Sequence, residues 1–432
     1  MEKINVFWHR RDLRHFDNVG LYYALNDGLP VLPVFIFDKN ILGDLEDKDD
    51  ARVTFIYDEI LRLNGVYEKS GGGLKVFYGT PESAYQQMLK EYDIQAVYTN
   101  RDYEPYARER DVNIEFLLKE NGASLFTFKD QVIFEDGEVL TDQDEPYKVF
   151  TPYKNKWLEK FRKSSKESYS SEKYLKALLK LSDNSIPSLQ DMGFVRSNIN
   201  IPSKEVSDRL LVKYGELRDF PAANATSHLG VHLRFGTVSI RELVRRASQK
   251  SDVWLNELIW REFYMTILAH FPEVVNNSFK SKYDQIPWIN NEEQFEAWCQ
   301  GKTGYPIVDA GMRELNATGY MHNRVRMVVA SFLTKHLLID WRWGERYFAR
   351  KLLDFELASN NGGWQWAAGT GTDAQPYFRV FNPESQQNKF DKHLEYIKKW
   401  VPEYGTAAYP KPIVVHKEAR VRAIETYKGA IS

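Results

Sequence analysis

The feature that most constrains the fold of this chain is a change of hydrophobic rhythm along its length. Over residues 1–130, short apolar runs alternate with helical patterns. The runs that predict strands are INVFWHR at 4–10, PVLPVFIFD at 30–38, LKVFYG at 74–79, IQAVYTN at 94–100 and SLFTFKD at 124–130. Because strands buried on both faces read as continuous apolar runs and alternate with crossover helices, this pattern predicts a doubly wound parallel sheet. No GxGxxG follows the first run, so the dinucleotide-binding fingerprint is missing there.

Helical periodicity dominates from about residue 201 onward, in segments such as VSIRELVRRASQ and RVRMVVASFLTKHLLI. A chain of 432 residues also exceeds what one hydrophobic core usually supports. We therefore predict an α/β domain over 1–130, an inter-domain connector over 131–200 and a larger all-α domain over 201–432. The expected fold class is a Rossmann-like parallel sheet followed by a helical domain.

Composition excludes several classes of protein. Cys299 is the single cysteine, so no disulfide framework can form within the chain, and this suits a reducing cytosol. The start, MEKINVFWHRRDLR, has no signal-peptide apolar region, and no run of about 18 apolar residues appears. We expect a soluble cytoplasmic protein with no membrane contact. Because the formal net charge is −2, a nucleic-acid partner would have to meet a local basic patch.

A predicted helix at WLNELIWREFYMTILAHF, residues 254–271, has an unusual face. At offsets 0, 3, 4 and 7 it carries a carboxylate, a guanidinium and two aromatic rings: Glu257, Trp260, Arg261 and Tyr264. Burying charge without partners is costly, so this face is a poor core face. Two interpretations stay open on spacing alone: an interfacial face with an intrahelical Glu257–Arg261 pair, or the wall of a polar, aromatic-lined pocket.

Polar residues gather near other helix ends as well. HNRVRM puts Asn323, Arg326 and Met327 on one side of a helix start. The small-residue turn at Thr226-Ser227 precedes another helix, where it predicts either an N-cap or an anion site. DFELASNNGGWQW supplies acids, an asparagine and a glycine pair, which suits close approach by a flat group; the polar members are Asp354, Glu356 and Asn360.

The stretch NNGGWQWAAGTGTDAQPYFRVFNP, residues 360–383, combines two tryptophans with small polar residues and almost no aliphatic side chains. Together with LNELIWREFY, TGYPIVDAGMRELNATGYMHNRVRM, LLIDWRWGERYF and the N-terminal FWHRRDLRHFDNVGL, it resembles the photolyase/cryptochrome family. Among its branches, the motifs look most like those of the bacterial class I cyclobutane pyrimidine dimer photolyases. The resemblance covers nearly the whole chain in order and is weakest at about 131–200.

The resemblance implies an FAD cofactor inside the helical domain. By motif, the residues around its diphosphate and ribose would be Tyr214, Thr226, Ser227 and Leu229. Those that line the flavin and adenine would be Trp254, Glu257, Arg261, Asn323, Arg326, Asp354, Glu356 and Asn360. Asn360 matches the position that faces flavin N5. Where close relatives carry Asp, this chain has Glu356, which puts the tuning of the flavin in question. No metal site is implied.

The resemblance also implies light-driven repair of cyclobutane pyrimidine dimers in DNA by a lyase. The reduced flavin would donate an electron to a flipped-out dimer, and the electron would return after the ring splits. The residues implied around the dimer are Glu257, Trp260, Asn323, Met327 and Trp366, with Asn360 beside the flavin. The two indoles, Trp260 and Trp366, would stack on the dimer. An electron-transfer chain would run from Trp364 through Trp341 to Trp288.

DNA contact is expected from cations around the cavity mouth. Arg218, Arg324 and Arg379 match family positions, with Trp260 and Trp366 inside the cavity; Lys154, Lys156 and Lys389 are plausible additions. Each cation taken alone also suits a solvated surface. We expect a monomer with no obligate protein partner. His322 is given no catalytic role, and the turn at Arg10, Asp12, Leu13 and Arg14 is read as a capped strand-to-helix turn.

A second, antenna chromophore is less well supported. Folate-binding relatives carry Glu where this chain has Ala107, and a Cys-Lys pair where it has Val275-Asn276. A folate antenna is therefore doubtful, and a deazaflavin, a flavin or no antenna stays open. The main alternative function is a cryptochrome-type photoreceptor that binds FAD without repair. The short tail after IKKWVPEYG and the retained dimer-pocket residues favour repair, and a light-independent flavin oxidoreductase is disfavoured because no nicotinamide site is found.

Overall fold

A parallel sheet organises the first part of the chain in the computed structural model, which describes residues 2–165, 167–182 and 184–431. Its strands are β1 (Lys3–His9), β2 (Val31–Asp38), β3 (Lys75–Gly79), β4 (Asp93–Asn100) and β5 (Ser124–Phe128). They lie in the order β3-β2-β1-β4-β5, and each neighbouring pair is parallel. Every residue of β2 is buried, as expected of a strand covered on both faces. The predicted doubly wound sheet is confirmed.

The α-helices of the described residues carry the rest of the fold. In chain order they are α1 (Val19–Leu25), α2 (Lys39–Gly43), α3 (Ala51–Lys69), α4 (Pro81–Glu91), α5 (Pro105–Glu120), α6 (Phe150–Lys163), α7 (Asp208–Leu217), α8 (Gly230–Arg234), α9 (Ile240–Lys250), α10 (Asp252–His270), α11 (Glu292–Cys299), α12 (Pro306–Thr318), α13 (Asn323–Ser331), α14 (Trp341–Lys351), α15 (Leu357–Ala368), α16 (Pro383–Phe390), α17 (Glu395–Trp400) and α18 (His416–Ile431). A π-helical turn, Phe332–His336, follows α13. The described part of the chain contains no helix of the length and apolarity that crossing a membrane requires.

Two compact units divide the chain. The first comprises Met1–Glu135, Arg162–Lys204 and Leu229–Arg246, and the second Asp136–Phe161, Glu205–His228 and Ala247–Ser432. Residues 131–200, which the sequence suggested as one connector, are thus shared between the units. Residues 229–246, expected within the helical domain, belong to the unit that holds the sheet. The predicted boundaries at 130 and 200 stay a prediction.

The turn after β1 is held inside the first unit by buried charge pairs. The Arg14 guanidinium donates to both carboxylate oxygens of Asp130, at 2.8 and 2.7 Å. Asp12 accepts from the Arg10 N–H at 2.8 Å. Burial opposes ionisation of Asp12, yet its hydrogen bonds and the His9 ring hold its pKa down at about 2. These contacts agree with the structural role expected for this turn.

The core of the second unit is aromatic as well as aliphatic. Trp298, Trp341 and Trp364 are buried in one cluster with aliphatic residues of α12 and α13, and Trp288 packs against it half-buried. This arrangement brings the tryptophans of the predicted electron-transfer chain into a single core.

Candidate functional site

α10 carries the polar and aromatic face that the sequence predicts. The Ser251 side chain caps the helix by accepting from the Trp254 N–H at 3.3 Å. Trp254 is buried, whereas Glu257, Trp260 and Arg261 are half-buried. Because α10 is mostly buried, its polar side chains need hydrogen-bond or ion-pair partners.

Glu257 has its partner outside α10. Its carboxylate forms an ion pair with Arg218, which follows α7, and the two side chains are 31% and 28% exposed respectively. Spacing alone suggested Arg261 as the partner. Burial raises the pKa of Glu257, and the nearby Arg218 charge offsets only part of that rise. The carboxyl group is therefore held close to a cation in a place where its neutral form costs less than in water.

The start of α13 presents three predicted residues on one side. Asn323 is exposed, and Met327 lies half-buried one turn later. Arg326, which lies between them in sequence, forms an ion pair with Asp354. Arg326 Nη2 lies 3.1 and 2.9 Å from the two Asp354 oxygens, while its Nε donates to the Met321 carbonyl at 2.8 Å. The guanidinium is thus fixed on two sides, and the ion pair it forms is partly exposed.

His322 has a structural role in this region. It precedes α13 as the N-cap, and its Nδ1 accepts from the Arg324 N–H at 3.1 Å. Burial lowers the pKa of His322 to about 4, so the ring is neutral at neutral pH and can act as an acceptor. The interpretation that His322 has no catalytic role stays a prediction.

α15 begins with Glu356 and holds Asn360 one turn later. Glu356 is buried as the N-cap, and its carboxylate accepts from the Ser359 N–H at 3.1 Å and the Ser359 hydroxyl at 2.9 Å. Asn360 Nδ2 donates to Glu345 of α14, at 2.8 Å to Oε1 and 3.1 Å to the carbonyl. The Asn360 amide nitrogen is therefore hydrogen-bonded to Glu345, which leaves the Asn360 side-chain oxygen as the atom available to a ligand.

Two adjacent glycines in α15 test whether the site fits a flat cofactor. A Cβ on Gly362 would lie 2.2 Å from a Tyr264 ring carbon, so the missing side chain lets α10 and α15 approach. A Cβ on Gly363 would meet nothing within 4 Å, and Gly363 is exposed, although its neighbour Trp364 is buried. Glycine inside a helix costs up to about 1 kcal/mol relative to alanine, so open space at Gly363 calls for a reason other than packing. A planar ring lying against this part of α15, within reach of Asn360, fits that space.

Two tryptophans of the predicted electron-transfer chain are buried, and the third is half-buried. Trp364 and Trp341 are 2% and 1% exposed, and Trp288 is half-buried. Among the described residues, the buried indole N–H groups of Trp364 and Trp341 have no hydrogen-bond partner. Trp366 is half-buried two residues beyond Trp364 on α15.

The loop at 224–228 before α8 is strained. Asn224 and His228 both have positive φ, 43° and 52°, which is uncommon for residues other than glycine and is often found at functional sites. The Thr226 hydroxyl bonds the Tyr320 hydroxyl at 2.9 Å. Neither Thr226 nor Ser227 is the N-cap of α8, because Leu229 occupies that position. The N-cap alternative for these two residues is therefore wrong.

Other predicted residues are placed as follows. Tyr214 lies half-buried on α7 with the Arg218 guanidinium 5.6 Å from its ring centroid. Leu229 is buried in the first unit. Ala107 is also buried, on α5, so this position offers no polar group to an antenna.

The cations predicted to meet DNA differ in how they are held. Arg324 pairs with Asp219 at 2.8 Å and lies 4.3 Å from the Phe390 ring centroid. Lys156 lies 3.7 Å from Asp142. Arg379 and Lys389 are exposed, and Lys154 is half-buried. All belong to the second unit.

Sequence reasoning missed two residues of this site. Glu345 orients Asn360, and burial raises its pKa. Phe150 lies against the Trp260 ring. Neither contact has a local sign, since Glu345 is one of many helical glutamates and Phe150 lies more than a hundred residues from Trp260. Phe150 does begin a helix with the apolar spacing Phe150, Tyr153, Trp157, which could have marked a packed face.

Comparison with known proteins agrees with the two-part fold. The family model for DNA photolyase matches residues 5–171, and that for the FAD binding domain of DNA photolyase matches residues 254–407. A parallel α/β unit followed by a helical, FAD-binding unit is the class of protein that the fold and the site define.

Full-length relatives narrow the class further. A deoxyribodipyrimidine photo-lyase of Synechococcus is 38% identical over 95% of this chain and 93% of its own length. A class III photolyase from Agrobacterium tumefaciens superimposes with a TM-score of 0.87 at 32% identity, covering 100% of this chain and 98% of that one. A Sulfolobus tokodaii photolyase, solved with two FAD molecules, gives 0.84 at 36% identity over 99% and 100%. This chain belongs to the DNA photolyase family.

Proposed function

We propose that this protein repairs cyclobutane pyrimidine dimers in DNA, using light and bound FAD. The observation that carries the proposal is the half-buried Glu257–Arg218 pair beside Trp260 on α10. A carboxyl and a guanidinium next to an indole supply hydrogen bonds and a stacking surface for an extruded base. The deoxyribodipyrimidine photo-lyases aligned with this chain over nearly its whole length support the same function.

FAD, when bound in its reduced form, supplies one electron to the lesion after it absorbs blue light. Residues of the second unit would hold it beside Gly363. Arg326 and Asp354 form a fixed ion pair, and Asn360 offers its carbonyl oxygen. Trp254, Arg261, Asn323 and Glu356 would complete the pocket, and Tyr214, Thr226 and Ser227 would bind the diphosphate region. The strained backbone at 224–228 supports the second assignment. The role of Leu229 stays a prediction.

Glu257 would act on the dimer through its carboxyl oxygens. Because burial raises its pKa, the protonated form costs less than in water, and a protonated carboxyl can donate to a base carbonyl oxygen. Such a bond strengthens as negative charge develops on the base in a pocket that excludes water. Arg218 could then turn to a phosphate.

Trp260 and Trp366 would form the aromatic walls of the lesion site, and Asn323 and Met327 would close it. Stacking of one base on an aromatic side chain contributes about 1–3 kcal/mol, which helps to offset the cost of unstacking the dimer. Arg218, Arg324 and Arg379, with Lys154, Lys156 and Lys389, would meet the phosphates without reading sequence. Arg379 and Lys389 are exposed and lie near the Phe381 and Phe390 rings, so they can reach DNA from the surface.

Trp364, Trp341 and Trp288 would pass electrons inward when the cofactor must be reduced. The buried N–H groups of Trp364 and Trp341 have no acceptor among the described residues, so an oxidised ring there keeps its proton. The hole can then move on to Trp288, which is half-buried and can release its proton to solvent.

Three finer predictions concern the location, the oligomeric state and the antenna. The cytoplasmic location and the monomeric state stay predictions. The second chromophore also stays open, since the Sulfolobus photolyase was solved with two FAD molecules whereas the buried Ala107 argues against folate here.

Repair is tested by mixing the photoreduced protein with dimer-containing single- and double-stranded DNA and illuminating with blue light. We expect absorbance near the pyrimidine maximum to recover under light and not in the dark, and undamaged DNA provides the baseline. A flavin-loaded protein that restores no absorbance would refute repair and favour the photoreceptor alternative.

A further inference from the structure

The Trp260 indole has one of its faces covered by another ring. The Phe150 ring lies parallel to it, with 3.7 Å between ring centroids and 8° between planes. Phe263 meets both rings edge-on, 5.6 Å from Trp260 and 5.8 Å from Phe150. Phe150 is 6% exposed, whereas Trp260 is half-buried. The Tyr264 ring also lies beside the indole, tilted by 34° with 5.5 Å between ring centroids. A planar ligand is therefore excluded from the indole face that Phe150 covers.

Phe150 is itself tied to the turn that follows α15. Its N–H donates to Asp373 Oδ2 at 3.1 Å, and the Thr372 hydroxyl donates to the Lys148 carbonyl at 2.7 Å. Thr372 and Asp373 come four and five residues after α15 ends at Ala368. Trp366 lies in the last turn of that helix. The backing ring of one indole and the helix that carries the other are thus joined by two hydrogen bonds.

We propose that Phe150 is a positioning residue for lesion recognition, which holds Trp260 in one orientation at a set separation from Trp366. This inference rests on the proposed function. An indole held by a parallel ring and an edge-on ring loses its rotational freedom on folding and not when the base arrives. Rigid aromatic walls bind with less loss of entropy than mobile ones, so the stack favours damaged over undamaged DNA.

A set of substitutions separates positioning from folding. Phe150→Leu keeps an apolar side chain and removes the ring, and Phe150→Tyr keeps the ring. Phe161→Leu is the matched control, because Phe161 also lies on α6, is 8% exposed and stacks on a different indole, that of Trp157, at 5.0 Å. Asp373→Ala removes the acceptor of the Phe150 N–H and leaves the ring in place.

The primary measurement is the ratio of Kd values for undamaged and dimer-containing DNA, with kcat and KM for repair. We expect Phe150→Leu to lower this ratio of Kd values roughly 3- to 10-fold, since one aromatic stack is lost. In the repair assay it should change KM more than kcat. Phe150→Tyr restores most of it, and Asp373→Ala gives a smaller loss in the same direction. Phe161→Leu leaves the ratio and the FAD content unchanged.

A second measurement reports the stack without any DNA. The emission of Trp260 is taken as the difference between each protein and its Trp260→Phe counterpart, and its quenching by acrylamide is followed. We expect Trp260 to be more accessible in Phe150→Leu than in the unsubstituted protein. If the unsubstituted protein repairs dimers and Phe150→Leu keeps both its discrimination and its quenching, the inference is wrong. If the unsubstituted protein shows the protected Trp260 and no preference for dimers, the proposed function fails instead.

Discussion

Replacing Gly363 by alanine separates the stability of α15 from its predicted role in holding the cofactor. The added methyl group would meet no atom within 4 Å in the flavin-free protein. Alanine is favoured over glycine inside a helix by about 0.5–1 kcal/mol. We therefore expect Gly363→Ala to raise the free energy of unfolding by roughly that amount. The same methyl group would occupy the space assigned to the flavin ring and should weaken FAD binding about tenfold or more.

The neighbouring glycine provides the matched control. A methyl group on Gly362 would lie 2.2 and 2.3 Å from two carbons of the Tyr264 ring. Overpacking of this kind costs about 1–3 kcal/mol, which exceeds the gain in helix propensity. Gly362→Ala is therefore expected to destabilise the flavin-free protein, so two identical changes at adjacent positions have effects of opposite sign.

The assay is urea unfolding of the flavin-free proteins, followed by titration with FAD. Opposite shifts of the urea midpoint test the packing, and the FAD titration tests the site. Unchanged FAD affinity in a stabilised Gly363→Ala protein would refute the assignment of this space to the flavin. A destabilised Gly363→Ala protein would show instead that the space is already filled by the chain.

Three further predictions address electron transfer, catalysis and pH. Trp364→Phe should block photoreduction of FAD and spare repair by chemically reduced enzyme. The control Trp298→Phe, which removes an indole 6.0 Å from Trp364, should leave photoreduction intact. Equal loss of photoreduction in both variants would contradict the predicted electron-transfer chain. Glu257→Gln should lower the repair yield about tenfold while FAD stays bound, because a hydrogen bond to a base that carries negative charge contributes about 1.5–3 kcal/mol. A yield equal to that of the unsubstituted protein would mean that Glu257 does not touch the dimer. Burial lowers the pKa of His336 to about 3, below its unfolded value, so its contribution to stability is complete above about pH 6.5 and is lost as the pH falls toward 3. Urea unfolding should show a loss of about 2 kcal/mol from this group between pH 7.5 and 5, and a flatter dependence in His336→Gln; parallel curves would contradict it.

The sheet was predictable because its signals are local. Each strand is a short apolar run, and the helices between the runs are the crossover connections that parallel neighbouring strands need. The five observed strands start and end within two residues of the predicted ones. The middle of the chain has no such rhythm, and 136–161 and 162–204 belong to different units. Membership of a unit is decided by tertiary contacts, which leave no periodic sign in the sequence.

The site was predictable in part for the same reason. Helical spacing placed Glu257 and Trp260 on one face of α10, and it placed Arg326 on the same side of α13 as Asn323. The partners lay beyond its reach, because Arg218 comes 39 residues before Glu257 and belongs to another helix end. Helical spacing suggested Arg261 as the ion-pair partner of Glu257, since (i, i+4) pairs are those that the sequence of a single helix can predict.

Two carboxyl groups of the candidate site, Glu257 and Glu345, have a pKa that burial raises, and they are suited to different roles. Glu257 is 31% exposed and faces Arg218, a cation with a flexible side chain that is predicted to contact DNA. Glu345 accepts from the Asn360 amide, a neutral partner that is itself part of α15. Releasing Glu345 would leave a half-buried acceptor and a half-buried donor unpaired, which costs up to about 1–3 kcal/mol for each group. Glu345 therefore holds Asn360 in one orientation, whereas the proposed function requires Glu257 to exchange its protein partner for the substrate.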